Sequence, residues 1–269
     1  MLKKIKIVFN RLFKYFRWRH DSSLIRMDIK KNKQELFLKD LKPNRILVLA
    51  PHSDDEWIGC FSLIMNCSCI VCSMNMDGGD TDSFKDYRFN EMIDLSKLYN
   101  YQLVRLVKDK TKDLSDILLK EKPDYVAVPF FMDWHNEHLE TMSILRKALG
   151  SYKCTILMYQ VSCPVPTNLV NYVVPVSRKN HIYKWKTFKK IYSSQKNIPW
   201  KRFGLLERAQ GGFLNSYSSN VFCIKTSDEW INMFGLIPSL AERERIKNNL
   251  NNLYSNYKYL NNLWTKKLH

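Results

Sequence analysis

The chain has 269 residues, 45% of them apolar, with 43 basic and 26 acidic side chains and a formal net charge of +17. The apolar share excludes a disordered chain, and the length is enough for one large α/β domain or one domain with appendages. The basic excess calls for an anionic partner or surface; nucleic acid, anionic lipid and phosphorylated substrates are all compatible with charge alone.

Residues 1–20 carry seven basic side chains (Lys3, Lys4, Lys6, Arg11, Lys14, Arg17, Arg19) and no acid. Leu2, Ile5, Phe9, Leu12, Phe13 and Phe16 recur at helical spacing, so a helix here has an aromatic-aliphatic face and a cationic face. The uncharged run is too short to span a bilayer, which needs roughly 20 apolar residues, and it lacks the apolar stretch of a secretory signal. A basic amphipathic helix rich in Phe and Trp reads as an interfacial anchor for an anionic membrane, with an ordinary surface helix as the alternative. A transit segment fits less well, since no serine precedes Ser22.

After a polar stretch the pattern alternates. Strand-like runs fall at 45–51, 67–76, 101–107, 124–130 and 154–161, and helix-like stretches at 84–99, 112–120 and 138–149. This alternation predicts an α/β fold, a mostly parallel Rossmann-like sheet flanked by helices. Residues 171–177 suggest a further strand, placed at an edge by Pro175. Helical patterns follow at about 180–195 and 203–215. Near the end, Ile246, Leu250, Leu253, Tyr257, Leu260 and Trp264 are spaced 4-3-4-3-4, a stripe too short for a coiled coil and expected to pack on the domain. The expected organisation is a helix at 1–20, an α/β domain at 40–225 and a helical extension at 226–269.

The seven cysteines (Cys60, Cys67, Cys69, Cys72, Cys154, Cys163, Cys223) are odd in number, and reduced thiols in a cytosolic compartment are expected. In a strand, Cys67 and Cys69 share a face and Cys72 takes the other, so they read as small buried hydrophobes and not as a zinc site. His20, His181 and His269 have no acidic neighbours at ligand spacing and are expected at the surface.

Two clusters carry the chemistry. Pro51-His52-Ser53-Asp54-Asp55-Glu56 follows the apolar run 45–49, and Asp133-Trp134-His135-Asn136-Glu137-His138 follows the run 125–130. Strand ends are where open α/β sheets place their chemistry. Burying that much charge costs several kcal/mol (about 2–7 for even one unpaired polar group) unless something compensates, and a divalent metal is the usual compensation. A hydrolytic zinc ion takes three protein ligands and keeps a position for water, whose proton a nearby carboxylate removes. His52, Asp55 and His138 are candidate ligands, with Asp54 beside them as candidate base.

At this point the chain resembles the PIG-L/LmbE-like zinc de-N-acetylases, which act on N-acetylglucosamine units. The signature His-Pro-Asp-Asp-Glu stands here as His52-Ser53-Asp54-Asp55-Glu56, and Asp-x-His-x-Asp-His as Asp133-Trp134-His135-Asn136-Glu137-His138, followed by Thr141. Asp77-Gly78-Gly79 and Arg88-Phe89-Asn90-Glu91 are similar to the family's Gly-bearing loop and Arg-x-x-Glu helix, and Tyr192-Ser193-Ser194-Gln195 to its Ser-Gln helix end. The resemblance covers about residues 44–222. It implies one zinc ion on His52, Asp55 and His138, with Asp54 as general base. His135 would stabilise the oxyanion or protonate the departing amine, Asp133 would orient His135, and Arg88 would contact the sugar or an attached phosphate. Without the family frame, Arg88 and Glu91 would be a solvent-facing i, i+3 pair.

Three departures stand out: Ser53 in place of proline, Glu137 in place of aspartate, and Ser219-Asn220-Val221-Phe222 where an acid precedes the phenylalanine. All groups needed for zinc and water chemistry survive. The expected activity is hydrolysis of the acetamide of an N-acetylglucosamine-containing conjugate, lipid- or diphosphate-linked, at the cytosolic membrane face. The alternatives are deacetylation of a small soluble conjugate and a silent zinc-binding scaffold. Nucleic acid is not expected, since no reading element accompanies the basic residues.

Overall fold

In the computed structural model, which describes residues 2–32, 45–76 and 81–268 (side chains from residue 9 onward), a long helix α1 (Leu2–Lys31) precedes alternating strands and helices. These are β1 (Ile46–Ala50), α2 (Asp55–Asn66), β2 (Cys69–Ser73), α3 (Asp82–Tyr99), β3 (Gln102–Arg105), α4 (Lys110–Glu121), β4 (Tyr125–Pro129), α5 (Asn136–Leu149) and β5 (Thr155–Tyr159). Then come β6 (Tyr172–Val176), α6 (Arg178–Ile191), α7 (Trp200–Gln210), β7 (Ser218–Thr226), α8 (Ser227–Asn232), α9 (Leu240–Asn248) and α10 (Leu253–Leu268). Residues 77–80, which include the expected Asp77-Gly78-Gly79 segment, and residue 269 lie outside the described residues.

The strands form one seven-stranded sheet in the order β3-β2-β1-β4-β5-β7-β6. β1 to β5 are mutually parallel, and β7 runs antiparallel to both β5 and β6. From β1 the chain builds outward through β2 and β3, then returns to place β4 on the other side of β1 (Ile46 opposite Tyr125, Val48 opposite Ala127). The strand order therefore reverses between β1 and β4, and a crevice opens at their carboxyl ends. Both charged clusters follow these two strands.

β1 is buried at every position, as a central strand covered on both faces must be. Leu47 and Leu49 face one half of the core with Val126, Val128 and Ile156. Ile46, Val48 and Ala50 face the other, with Trp57, Phe61, Trp185 and Phe188. The cysteines follow the expected alternation: Cys72 joins the first half, Cys69 the second with Cys67 packed against it, and all seven are unbridged. α2 lies close on β5, where Gly59 is needed because a Cβ there would meet Tyr159 Cδ2 at 2.1 Å.

The edge position of Pro175 on β6 agrees with the pattern reading. Four elements differ from it. α1 continues to Lys31, and its second half is docked: Ile25 and Ile29 are buried, Ser22 Oγ donates to Leu205 O (2.7 Å), and Arg26 donates to Arg208 O and Ser216 O. α2 is a helix that apolar periodicity did not reveal, because Trp57 to Ile64 is buried all round. β7 is likewise an additional strand. The carboxyl-terminal stripe belongs to two helices, α9 and α10, broken at 249–252; Ile246, Leu253, Tyr257, Leu260 and Trp264 all enter the main core.

His181 is buried, against the surface expectation. Its Nδ1 lies 3.3 Å from Glu207, which also pairs with buried Lys184 and accepts from Trp185 Nε1 at 3.1 Å. The acid that covers His181 is 26 residues along the chain, beyond any local spacing rule. Asn220, in the segment that departs from the acidic pattern, accepts from Ser62 N at 3.1 Å and so ties β7 to α2.

Candidate active site

The turn after β1 is built tightly around Asp54. Trp57 N and Ile58 N both donate to Asp54 O, at 3.0 and 2.9 Å, so Asp54 starts α2 as its cap residue. Its φ of 147° lies in a region that suits glycine, which costs a side-chain-bearing residue about 1–3 kcal/mol. Asp55 and Glu56 occupy the first turn of α2, where carboxylates favour the helix dipole. Backbone N of Asp54 donates to Glu56 at 3.1 Å, and Tyr192 Oη donates to the other Glu56 oxygen. With that carboxyl wholly buried, its pKa rises to about 7.

The second cluster meets the first across the crevice. Asp55 Oδ2 is 3.0 Å from His52 Nδ1 and 3.4 Å from His138 Nε2, and it also accepts from His52 N at 3.0 Å. Glu137 reaches His52 Nε2, and its carboxylate is 3.6 Å from His135 Nδ1. His52, His135 and His138 each offer a ring nitrogen, all within 4.8 Å of one another. The His135 and His138 rings stack at 5.0 Å. Asp133 approaches the ring of His138, Oδ2 to Nδ1 3.3 Å, and accepts from the backbone N of His135 at 3.2 Å. The Asp133 carboxylate thus lies against the ring of His138 and also holds the backbone of His135, the residue the resemblance gives it to orient.

Burial disfavours the charged form of every group here, and the neighbours decide the outcome. For His52, the Asp55 and Glu137 carboxylates outweigh burial and raise the pKa to about 10; for His138, Asp133 and Asp55 raise it to about 9. Burial together with the neighbouring His52 and His138 lowers His135 to about 4. Asp55 stays well below the usual carboxylate range, because the two histidines outweigh its burial. Asp54 is pushed well above it, by burial and by the adjacent Asp55.

Four buried carboxylates (Asp54, Asp55, Glu56, Asp133) and the imidazole of His138 within one turn's reach fit a divalent cation, which would offset the negative charge. Two three-ligand sets can be drawn, His52-Asp55-His138 and the three histidines. The first contains the shorter donor-to-donor distances and an anionic oxygen placed between two imidazoles. Asp54 Oδ2 is buried without a hydrogen-bond partner among the described residues, free to act on a group in the pocket.

That pocket, about 440 Å³, is lined by His52, Asp54, Asp55, Arg88, His135 and His138, so six of the seven sequence candidates face one space and Asp133 stands behind it. Arg88 is buried, not solvent-facing: Nη2 donates to Ser53 O at 3.2 Å and lies 3.9 Å from Asp54 Oδ1. Gln195, its amide oxygen turned inward, accepts from Arg88 Nη2 and Nε at 2.5 and 2.9 Å. Glu91 holds the Gln195 turn by accepting from Ser193 Oγ (3.0 Å) and Ser194 N (2.9 Å). The Arg-x-x-Glu and Ser-Gln motifs are therefore two sides of one clamp.

Four contributors had no signal in the sequence for this role. Ser162 Oγ donates to both oxygens of Asp133 (2.8 and 2.9 Å). Arg202, buried on α7, donates to Ser162 O (3.0 Å) and Leu250 O (2.7 Å), while its Nε has no partner among the described residues. Leu250 and Asn251, from the break between α9 and α10, form part of the pocket wall.

No protein-family model and no curated protein sequence matches the chain. Solved structures match its fold. A conserved protein from Thermus thermophilus superposes with a TM-score of 0.53 and 19% identity, over 66% of this chain and 92% of its own. A triple mutant of a deacetylase of the teicoplanin biosynthetic pathway superposes with a TM-score of 0.52 and 14% identity, over 69% of this chain and all of its own. The teicoplanin-pathway deacetylase in its bog complex gives 0.51 at the same identity and coverage. At these identities the likeness establishes the fold: a mixed, mostly parallel sheet between helices, of the kind these deacetylases use.

Proposed function

We propose that the chain is a metal-dependent N-deacetylase that hydrolyses the acetamide of an N-acetylglucosamine-containing conjugate, lipid- or diphosphate-linked, releasing acetate and a free amino sugar. The observation that carries this reading is the meeting of His52, Asp55 and His138 beside an Asp54 held in strained backbone at the floor of the crevice. The fold shared with teicoplanin-pathway deacetylases supports it.

One zinc ion on His52, Asp55 and His138 would polarise the acetamide carbonyl and acidify a water molecule. The chain's own groups do the rest. Asp54, through its unpartnered Oδ2, takes the proton from the attacking water and passes it to the departing amine. His135 stands on the pocket wall to donate a hydrogen bond to the carbonyl oxygen as it becomes anionic. Asp133 and Ser162 keep His138 in orientation, and Arg88, clamped by Gln195, holds Asp54 and meets sugar or phosphate oxygens.

Residues 1–20 would hold the enzyme on an anionic membrane surface. Phe9, Leu12, Phe13 and Phe16 are 69%, 50%, 62% and 60% exposed along one side of α1, among basic residues. No helix among the described residues is long and apolar enough to cross a membrane.

Acetate release from lipid-diphosphate and soluble N-acetylglucosamine compounds, with and without chelator, tests the reading. Asp54→Ala should keep one metal per chain and lose at least 10²-fold in turnover, the usual scale for a general base. His138→Ala should lose the metal itself, read by elemental analysis. Bound metal with no acetate from any of these compounds would leave only a scaffold.

A further inference from the structure

A second cavity, of about 340 Å³, lies on the outer side of α7, between α1 and α6, and shares no residue with the catalytic pocket. Its walls are aromatic (Tyr15, Trp185, Trp200, Tyr217) and its cations come from two helices, Lys186 and Lys189 on α6 and Lys201 and Arg208 on α7. Among the described residues, no carboxylate lines it. The cations rest on the rings: Lys189 Nζ is 4.7 Å from the Trp200 centroid, Lys201 Nζ 5.3 Å from that of Tyr15, and the Arg208 guanidinium 5.0 Å from that of Tyr217. Such stacking fixes the positive groups in place without neutralising them.

We infer that this groove binds the phosphate-bearing headgroup of an anionic phospholipid while the chain is seated on a bilayer. The inference rests on the membrane reading of residues 1–20 and is independent of the hydrolytic one. Three observations select a bilayer lipid over a dissolved anion. Tyr15 and Arg19 belong to the groove side of α1, and Leu12 and Phe16 precede them by three residues, so the exposed apolar stripe borders the groove. A stripe of that kind has no use for a soluble phosphate, but beside a headgroup site it would enter the acyl boundary. The neighbouring cavity past Arg208 and Tyr217 continues the same surface with Arg19 and Arg26 and, among the described residues, again has no acid. The net charge of +17 gives the whole surface the sign that an anionic leaflet attracts.

The test is co-sedimentation of the full chain with vesicles of phosphatidylcholine, alone or with 30 mol% phosphatidylglycerol (a composition of about that anionic content suffices). Lys189 and Lys201 are exposed, so Lys189→Glu/Lys201→Glu should fold, and it should weaken binding to the anionic vesicles more than tenfold. Lys112→Glu/Lys147→Glu makes the same change in net charge on α4 and α5, away from the groove, and should stay within about threefold of the wild type. Equal losses in both variants would mean general charge attraction and overturn the groove. So would wild-type binding in the groove variant when Phe13→Ser/Phe16→Ser releases the protein; the helix alone would then be the anchor. Failure of the wild type to bind any anionic vesicle removes the membrane reading and the groove with it. Tighter retention of a single-stranded oligonucleotide by the same lysines would assign the groove to nucleic acid and equally overturn the proposal.

Discussion

Asp54 combines three properties that seldom coincide: a backbone φ of 147°, a carboxyl oxygen with no hydrogen-bond partner among the described residues, and a pKa raised by burial and by Asp55. Each costs stability, and together they describe a side chain kept for what it does. Asp54→Gly would relieve the strain and remove the buried carboxylate, against the flexibility glycine adds to the unfolded chain. We expect a net gain of about 1 kcal/mol, a Tm rise of roughly 2–4 °C for a domain of this size, together with loss of deacetylation. Calorimetry on the metal-free protein checks it, and a lower Tm would show that Asp54 supports the fold. The sequence displayed the residue itself, since five acids and three histidines at strand ends are conspicuous. It could not display the φ, which the Trp57 and Ile58 amides impose through the chain's return, nor the pairing of Asp133 with His138, which depends on Ser162 and α7.

At the scale of elements, the legible parts were those with a period. All five parallel strands and the helices α3 to α5 stand within a few residues of their apolar patterns, because each has one buried and one exposed face or is bounded by turn residues. α2 was illegible because a helix pressed between the sheet and α6 is apolar on every side. The tail reads as one stripe because its spacing runs on through 249–252, where the chain turns. That turn has a function of position: Trp18 Nε1 and Arg17 Nη2 donate to Asn251 O (3.2 and 2.8 Å), and Arg202 holds Leu250 O, so α1, α7 and the pocket wall meet there. Trp18→Phe keeps the packing and removes one of these bonds; KM should rise a few-fold with kcat unchanged and Tm within about 2 °C, since one such bond contributes about 1 kcal/mol. The buried Lys184–Glu207 pair gives an ordering. Glu207 accepts from Lys184 and Trp185 and lies beside His181; Lys184 and His181 outweigh its burial and lower its pKa, whereas burial dominates at Lys184 and lowers that one as well. Removing Glu207 strands a buried ammonium, so Glu207→Gln should cost about 3–5 kcal/mol, and Lys184→Met distinctly less. Urea midpoints would read both. Because the folded Glu207 pKa lies below the ordinary 4.5, its contribution is complete above that pH and fades as the pH falls through the folded value, so the Glu207→Gln deficit should shrink in acid.

The whole molecule is organised by the reversal of strand order between β1 and β4, which brings clusters some eighty residues apart in sequence to one crevice. Alternation of strands and helices implied such a sheet, but the reversal and the antiparallel insertion of β7 are matters of connection that no local pattern encodes. α1 was legible as amphipathic and illegible in its division of labour. Its first half exposes Phe9, Leu12, Phe13 and Phe16, while its second half buries Ile25 and Ile29 against α7 and α10. Truncation should separate the two. Deleting residues 1–13 removes only exposed apolar side chains among those described, so Tm should stay within about 2 °C and turnover of a soluble conjugate should be unchanged, while turnover of the same sugar presented on anionic vesicles should fall at least tenfold. Deleting residues 1–31 uncovers the side of α7 that α1 packs on and forfeits the burial of two isoleucines, roughly 3–6 kcal/mol, a large part of a typical domain's margin. That protein should aggregate or unfold near ambient temperature. If the shorter deletion already unfolds the chain, the first half of α1 is a structural element and its exposed stripe needs another explanation; if it turns over vesicle-borne substrate at the full rate, the stripe does not bring the enzyme to its substrate.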